Sequence, residues 1–193
     1  NAWDDDETND EQWPYRVKFS GTDLLGNVTI PEGDPTDLET SLEVSLDASS
    51  ESYPLHTFNL LNDGVMEKIA KAFKLQPSEI ASATLEAGVV KAEGFTGPAD
   101  GKVAVGLTNP DGKVSYAYSA NGIGFWIAAD GTASSWGDAP IYYEYDAVGY
   151  GLTVGHNPGH SEKGKTYTIK PTMVYNKGGK LHKAVITIKM KFA

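Results

Sequence analysis

Residues 166–192 read TYTIKPTMVYNKGGKLHKAVITIKMKF, and apolar and polar side chains alternate along most of this segment. Before the turn at 176–180, the apolar residues on one face of the predicted strand are Tyr167, Ile169, Met173 and Tyr175. After the turn they are Ile186, Ile188, Met190 and Phe192. The opposite face of the last part carries Thr187, Lys189 and Lys191. A period of two with one apolar face is typical of an antiparallel sheet buried on one side. The segment therefore predicts a C-terminal β-hairpin whose lysines face water.

Most of the remaining chain consists of short alternating segments separated by Gly, Pro, Asn and Asp, which is the pattern of short strands joined by turns. The predicted strands are Tyr15–Phe19, Thr40–Asp47, Thr84–Val90, Lys102–Thr108, Val114–Tyr118, Gly124–Ala128, Ile141–Tyr145 and Tyr150–Val154. The segment Gly64–Leu75 follows Asp63 and places Val65, Ile69, Ala72 and Phe73 at helical spacing. The predicted fold is mainly β, an antiparallel, jelly-roll-like β-sandwich with one short helix near 64–75.

Charge is distributed unevenly along the 193 residues. Residues 1–12 hold six acids and no base, which predicts a flexible acidic leader before a single β-sandwich domain over 13–193. From residue 151 onward there are eight lysines and one acid, Glu162. The net charge of −10 argues against a nucleic-acid partner, since phosphate binding needs clustered Lys and Arg. The absence of Cys excludes disulfides and thiolate chemistry.

The segment 116–150 is unusually rich in aromatic residues, with polar residues between them. Aromatic faces stack on the C–H faces of sugar rings, and nearby acids bond the hydroxyl groups; a small-ligand site combines such an apolar platform with a few placed polar groups. The hypothesised carbohydrate-binding residues are Trp126, Trp136, Asp138 and Tyr143. Trp136 is the most loop-like of these, because Ser134-Ser135 and Gly137-Asp138 flank it. The alternative is that the aromatic side chains fill the core of the sandwich.

Catalytic and metal sites have weaker sequence support. Asp138, Glu144 and Asp146 could supply the two carboxyl groups of a glycosidase, but no motif marks a pair. His156 and His160 bracket Asn-Pro-Gly, a turn rather than the helix on which such spacing suits zinc, and calcium at Asp130 or Asp138 is equally unmarked. We therefore predict no catalytic residue, no metal and no cofactor.

An ordered set of motifs resembles a known family. It comprises GFWIAADG at 124–131, WGD at 136–138, VGHNPG at 154–159, GKTYTI at 164–169, a Lys-rich last strand, and the earlier helix followed by LQPSEI at 75–80. Over roughly residues 53–192 this resembles a domain-of-unknown-function family of secreted Bacteroidetes proteins, whose members include cell-surface lipoproteins and domains appended to glycan-processing enzymes. His156 stands where the family pattern has Gln, and no catalytic residue carries over.

The resemblance implies a β-sandwich that works in surface glycan handling. Trp3-Asp4-Asp5-Asp6-Glu7 is similar to the acidic export signal that follows the lipidated Cys of such lipoproteins, and that Cys is not in this chain. We therefore expect an exported, lipid-anchored domain at the cell surface or in the periplasm, acting as a non-catalytic glycan-binding module. The alternatives are a structural or protein-interaction domain and a glycoside hydrolase. Exposure of Trp126, Trp136 and Tyr143 would favour the glycan-binding module over the interaction domain.

Overall fold

A computed structural model describes residues 27–81, 88–117 and 123–193. The strands in this part of the chain are β1 (Leu38–Leu46), β2 (Pro54–Asn59), β3 (Val89–Ala92), β4 (Phe95–Pro98), β5 (Val103–Thr108), β6 (Val114–Tyr116), β7 (Ile123–Ile127), β8 (Ala133–Ser134), β9 (Ile141–Asp146), β10 (Gly151–His156), β11 (Thr166–Ile169), β12 (Pro171–Lys177) and β13 (Lys180–Phe192). The helices are α1 (Val65–Phe73) and α2 (Pro77–Ile80).

Strand β13 is the centre of a six-stranded sheet with the order β1-β13-β12-β5-β6. One edge of β13 pairs in parallel with β1, from Leu38 opposite Ala184 to Leu46 opposite Phe192. Its other edge pairs first with β12 and then with β11, which follow one another along the same strand. The long last strand thus holds three other strands in place.

A second sheet has the antiparallel order β2-β10-β9-β7-β8 and packs face to face with the first. The inner side chains of both sheets form one apolar core, to which β9 contributes Ile141, Tyr143 and Tyr145. Alternation along each strand places every second residue in this core and sends the others outward. The result is a β-sandwich whose two outer faces are chemically different.

Helix α1 closes the core, and the hairpin β3-β4 covers part of the outer face of the six-stranded sheet. Phe73 of α1 lies 5.5 Å, between ring centroids, from Tyr175 of β12. On the outside, Tyr116 donates from its hydroxyl to the carbonyl of Thr96 at 3.2 Å, and Asn176 donates from Nδ2 to the carbonyl of Pro98 at 2.9 Å. The opposite sheet has no such covering hairpin among the described residues.

The predicted fold class is confirmed: the protein is mainly β and consistent with a β-sandwich, and α1 lies within the predicted 64–75. The turn of the last hairpin lies between Lys177 and Lys180, inside the predicted 176–180. The structure adds a second short helix, α2, and a parallel pair, β1 with β13, to a sheet that is otherwise antiparallel. The predicted leader at 1–12, the predicted strand Tyr15–Phe19 and residues 84–87 of another strand lie outside the described residues.

Candidate functional site

The candidate site lies on the outer face of the five-stranded sheet. Strand β9 reads IYYEYD, so its alternate residues Tyr142, Glu144 and Asp146 point away from the core. By the same alternation the outer residues of β7 are Gly124 and Trp126, while Phe125 and Ile127 are buried. A strand that sends its acids and one of its tyrosines to the same face gives that face both stacking and hydrogen-bonding groups.

Three aromatic rings on this face contact one another, and we call Tyr53, Trp126 and Tyr142 the aromatic platform. The ring centroids of Trp126 and Tyr142 lie 4.9 Å apart, and Tyr53 meets Trp126 edge-on at 6.2 Å with an interplanar angle of 82°. Tyr142 is the floor, only 6% exposed, whereas Tyr53 is 42% exposed and Trp126 half-buried. The platform therefore presents apolar ring surface to solvent.

Glycine at position 155 allows the Tyr142 ring to pack directly against the backbone of the neighbouring strand. Gly155 is the cross-strand partner of Tyr142, and a Cβ added there would lie 2.6 Å from Cε2 of the Tyr142 ring and in collision with the carbonyl oxygen of Tyr53. A heavy-atom approach this close is possible only without a side chain. The Tyr142 ring consequently rests on the backbone of β10.

A row of polar residues runs beside the platform. Cross-strand pairing aligns Thr57, Thr153, Glu144 and Gly124, two residues along their strands from the aromatic row and so roughly 7 Å away. The hydroxyls of Thr57 and Thr153 are 2.7 Å apart and hydrogen-bonded. Cγ of Glu144 lies 3.2 Å from the position that a Cβ on Gly124 would occupy, so its side chain leans over that glycine. Burial, together with the nearby charge of Glu144, raises the pKa of Tyr142 to about 12.

Trp136 and Asp138 lie on the loop between β8 and β9, and both are exposed, Trp136 to 58%. Asn157 holds this loop, because its Nδ2 donates to the carbonyl of Trp136 at 3.3 Å and its backbone N–H donates to the carbonyl of Pro140 at 3.0 Å. The preceding residue, His156, donates from its backbone N–H to the carbonyl of Tyr53. The loop and Tyr53 thus lie at the same end of the sheet, although Trp136 makes no ring contact with the platform in the described structure.

The prediction that Tyr143 lines an open binding face is wrong. Tyr143 is 1% exposed, stacks on Phe125 at 5.6 Å between centroids, and donates from its hydroxyl to the carbonyl of Gly106 on the other sheet. It belongs to the inner parity of β9, so its neighbour Tyr142 takes the outer position. Of the four hypothesised residues, the structure brings Trp126 into the platform, places Trp136 and Asp138 on a loop at one end, and buries Tyr143.

The other candidate residues are dispersed or have structural partners. Oδ1 of Asp146 accepts from the backbone N–H of Val148 at 3.0 Å, and Oδ1 of Asp130 accepts from the N–H of Thr132 at 2.9 Å, so both acids stabilise turns. His156 is buried against Phe192, with Nδ1 2.7 Å from the Ser161 hydroxyl. In the described ranges no three His, Asp or Glu side chains are grouped to hold a metal ion. No helix of that part of the chain has the length and apolar character needed to cross a membrane.

Sequence reasoning missed Tyr53 and Tyr142. Tyr142 shares a parity with Glu144, and choosing the face that carries the acid would have selected it over Tyr143. Tyr53 leaves no comparable signal, since it lies about 70 residues before Trp126 and reaches the site only because β2 pairs with β10. No strand was predicted at Pro54–Asn59.

A family model described as Domain of unknown function (DUF4859) matches residues 52–180, more than half of the chain. The chain belongs to this family. The expected membership of a domain-of-unknown-function family is thus confirmed, and the DUF4859 match begins at 52, one residue before the expected start. It contains the whole aromatic platform and ends at the first residue of β13, twelve residues before the expected end at 192. No curated protein and no solved structure matches the chain.

Proposed function

We propose that this DUF4859 domain is a non-catalytic glycan-binding module, and that the aromatic platform is its binding face. The observation that carries the proposal is the pairing of two rows on one outer sheet face, Tyr142 and Trp126 in one and Glu144 and Thr153 in the next. A pyranose ring has apolar C–H faces and an equatorial belt of hydroxyls. It needs a flat apolar surface with hydrogen-bonding groups a few ångströms to the side.

The placement of the rings supports a ligand role in addition to packing. Tyr53 and Trp126 remain partly exposed while the inner residues of the same sheet, such as Ile141 and Val154, are 0% exposed. Their contact fixes the rings before any ligand arrives, so binding loses little side-chain entropy. The outer face of this sheet has glycine at 124, 151 and 155, so no side chain at these positions would block a ligand.

The setting of this activity is part of the proposal. By its resemblance to secreted Bacteroidetes proteins, we propose that the domain is exported and held at the cell surface or in the periplasm by a lipid anchor. The proposal assigns no cofactor and no catalytic residue. Asp146, one of the acids that a hydrolase would need, already accepts a hydrogen bond from Val148 in the β9–β10 turn. Glu144, the acid in the polar row beside the platform, serves as a hydrogen-bond acceptor for sugar hydroxyls.

A protein-interaction role is the second candidate. The exposure of Trp136 was expected to mark the glycan-binding face, but it suits this role as well, because Trp136 makes no ring contact with the platform among the described residues. A Trp that is 58% exposed on a loop is the kind of residue that anchors protein interfaces. The two functions use different residues, the platform for a glycan and the β8–β9 loop for a protein. They are therefore separable by mutation.

The test is a glycan array on the purified chain, followed by affinity measurement on any sugar that binds. Tyr53→Ala and Trp126→Ala should each weaken binding about tenfold or more, which corresponds to about 1.4 kcal/mol. Val90→Ala is the matched control, because Val90 has nearly the same exposed fraction as Tyr53, 43% against 42%, but lies on the separate β3-β4 hairpin outside the platform sheet. Thermal unfolding of each variant separates lost binding from lost structure. Binding that survives both platform substitutions would exclude this face, and an array with no bound glycan would reject the function.

A further inference from the structure

The two sheets carry charge of opposite sign. The five strands of the platform sheet, β2, β7, β8, β9 and β10, contain no Lys or Arg, and their acids are Glu144 and Asp146, both on the outer face of β9. The basic side chains that these strands do contain are two histidines. His156 is buried, and His56 packs on Phe58 with ring centroids 4.6 Å apart. In contrast, strand β13 of the opposite sheet carries four lysines, at 180, 183, 189 and 191.

On this observation we infer that the aromatic platform selects uncharged glycans and rejects glycans whose stacked sugar carries a carboxylate or sulfate. The inference rests on the proposed function, and it names the class of ligand. A sugar stacked on the exposed rings of Trp126 and Tyr53, over the buried Tyr142, lies one row from the Glu144 carboxylate. No lysine or arginine on these strands can neutralise a second negative charge at that distance.

Hydrogen-bonding chemistry points the same way as charge. An ionised carboxylate is an acceptor only, so Glu144 can bond a sugar hydroxyl but not another carboxylate or sulfate. Two acceptors held side by side lose hydration without gaining a bond, which is unfavourable beyond the like-charge repulsion. The bond between the Thr57 and Thr153 hydroxyls uses one of their two O–H donors, so the pair offers a single neutral donor and no positive charge to offset the repulsion. The polar row therefore suits a belt of neutral hydroxyl groups.

Glu144 also acts electrostatically on the aromatic platform. Its charge adds to burial in raising the pKa of Tyr142, the buried ring that packs against Trp126. Asp146 follows on the same face two residues further along β9, and Asp138 lies exposed on the loop beside Pro140. These three acids place negative charge on this face and on the loop at its end, and salt will screen part of its effect on a ligand.

Matched sugars test the inference directly. Hexamers of glucose, galactose and mannose would each be compared, by titration calorimetry at low and at physiological salt, with the hexamer of the corresponding uronic acid in the same linkage and anomeric configuration. These pairs differ only in the oxidation state of C6. For the sugar type that binds, we expect the uronic-acid hexamer to bind at least tenfold more weakly at low salt, with a smaller ratio at physiological salt.

Two variants assign the effect to its residue. Glu144→Gln keeps an amide oxygen as acceptor but removes the charge, so it should shrink the neutral-to-acidic affinity ratio several-fold. Glu43→Gln removes a charge from the opposite sheet, where Glu43 is paired with Lys191, and should leave the ratio unchanged. Equal or tighter binding of a uronic-acid hexamer, or a ratio insensitive to Glu144→Gln, would overturn the inference while glycan binding stands. Failure of all six hexamers and of the glycan array would overturn the proposed function as well.

Discussion

The hydroxyl of Tyr143 donates a hydrogen bond to the backbone carbonyl of Gly106, and so joins β9 of one sheet to β5 of the other. The donor is fully buried, and burial raises the pKa of Tyr143 well above its ordinary value, which keeps the hydroxyl protonated as a donor. The two sheets of a sandwich are usually held by apolar contact alone. Here a directional bond also fixes how the platform sheet sits on its neighbour.

Tyr143→Phe should therefore lower the free energy of unfolding by about 1–2 kcal/mol, because the Gly106 carbonyl loses a partner in a place that water does not reach. Urea denaturation of the purified protein measures the change. Tyr145→Phe is the matched control: Tyr145 is also buried on β9, but its hydroxyl has no hydrogen-bond partner among the described residues. The control should not lower stability, because it removes a buried hydroxyl that makes no bond. Equal effects of the two substitutions would argue against a specific bond between the sheets.

The contrast between Tyr142 and Tyr143 shows what the sequence could and could not predict. The period of two in residues 166–192 sufficed for the sandwich and its last hairpin, since alternation is a local property. It could not say which face of β9 was the inner one, because IYYEYD holds aromatic rings at both parities. Pairing of β9 with β7 and β10 makes that choice, and it depends on contacts far apart in the chain. The parallel pairing of β1 with β13 could not be predicted for the same reason.

Gly155→Ala should disturb the platform from below. The added methyl group would collide with the Tyr53 carbonyl and with the Tyr142 ring, whose Cε2 and Cζ would lie 2.6 and 2.7 Å away. We expect a loss of about 1–3 kcal/mol of stability, as for other overpacked sites, together with a displaced Tyr142. Chemical denaturation gives the first quantity and the near-ultraviolet circular dichroism of the aromatic cluster gives the second.

Gly137→Ala is the control for that experiment, since Gly137 has open space at its Cβ position and no positive φ. It should leave stability and the aromatic signal unchanged. If Gly155→Ala were equally silent, the close packing of Tyr142 on the β10 backbone would be wrong.

Trp136→Ala tests the exposed loop. Because the side chain is 58% exposed, its removal should cost little stability, in contrast to the roughly 3–5 kcal/mol lost when a buried Trp is truncated. If the loop extends the platform, the same variant should weaken glycan binding several-fold; if the loop serves a protein partner, glycan binding should not change. Melting and glycan titration on one protein sample separate these results. A large drop in melting temperature would show that Trp136 is part of the core.

The raised pKa of Tyr142 predicts loss of stability at alkaline pH. The folded protein holds this hydroxyl neutral up to a pKa of about 12, whereas in the unfolded chain it ionises near 10. The contribution is therefore fully present below about pH 10 and is lost as the pH rises from there to about 12. Urea unfolding at intervals from pH 8 to pH 11.5 should show stability falling above pH 10, with a smaller slope for Tyr142→Phe. Burial also raises the pKa values of Tyr143 and Tyr145, so the difference between parent and variant isolates Tyr142. An unchanged slope in the variant would contradict the shift.

Removal of residues 181–193 should abolish folding, although the DUF4859 match ends at residue 180. Those residues form nearly all of β13, which pairs with β1, β11 and β12 and buries Ala184, Ile186, Ile188, Met190 and Phe192 almost completely. Loss of a central strand leaves backbone groups of its neighbours unpaired and uncovers the core, unlike loss of an edge strand. We expect the shortened chain to lack a cooperative thermal transition.

Deletion of residues 1–12 is the control, because a block with six acids and no base buries little apolar surface, and it should shift the melting temperature by no more than a few degrees. A cooperative transition in the chain that ends at 180 would mean that the matched segment is a folding unit by itself and that β13 only adds to it.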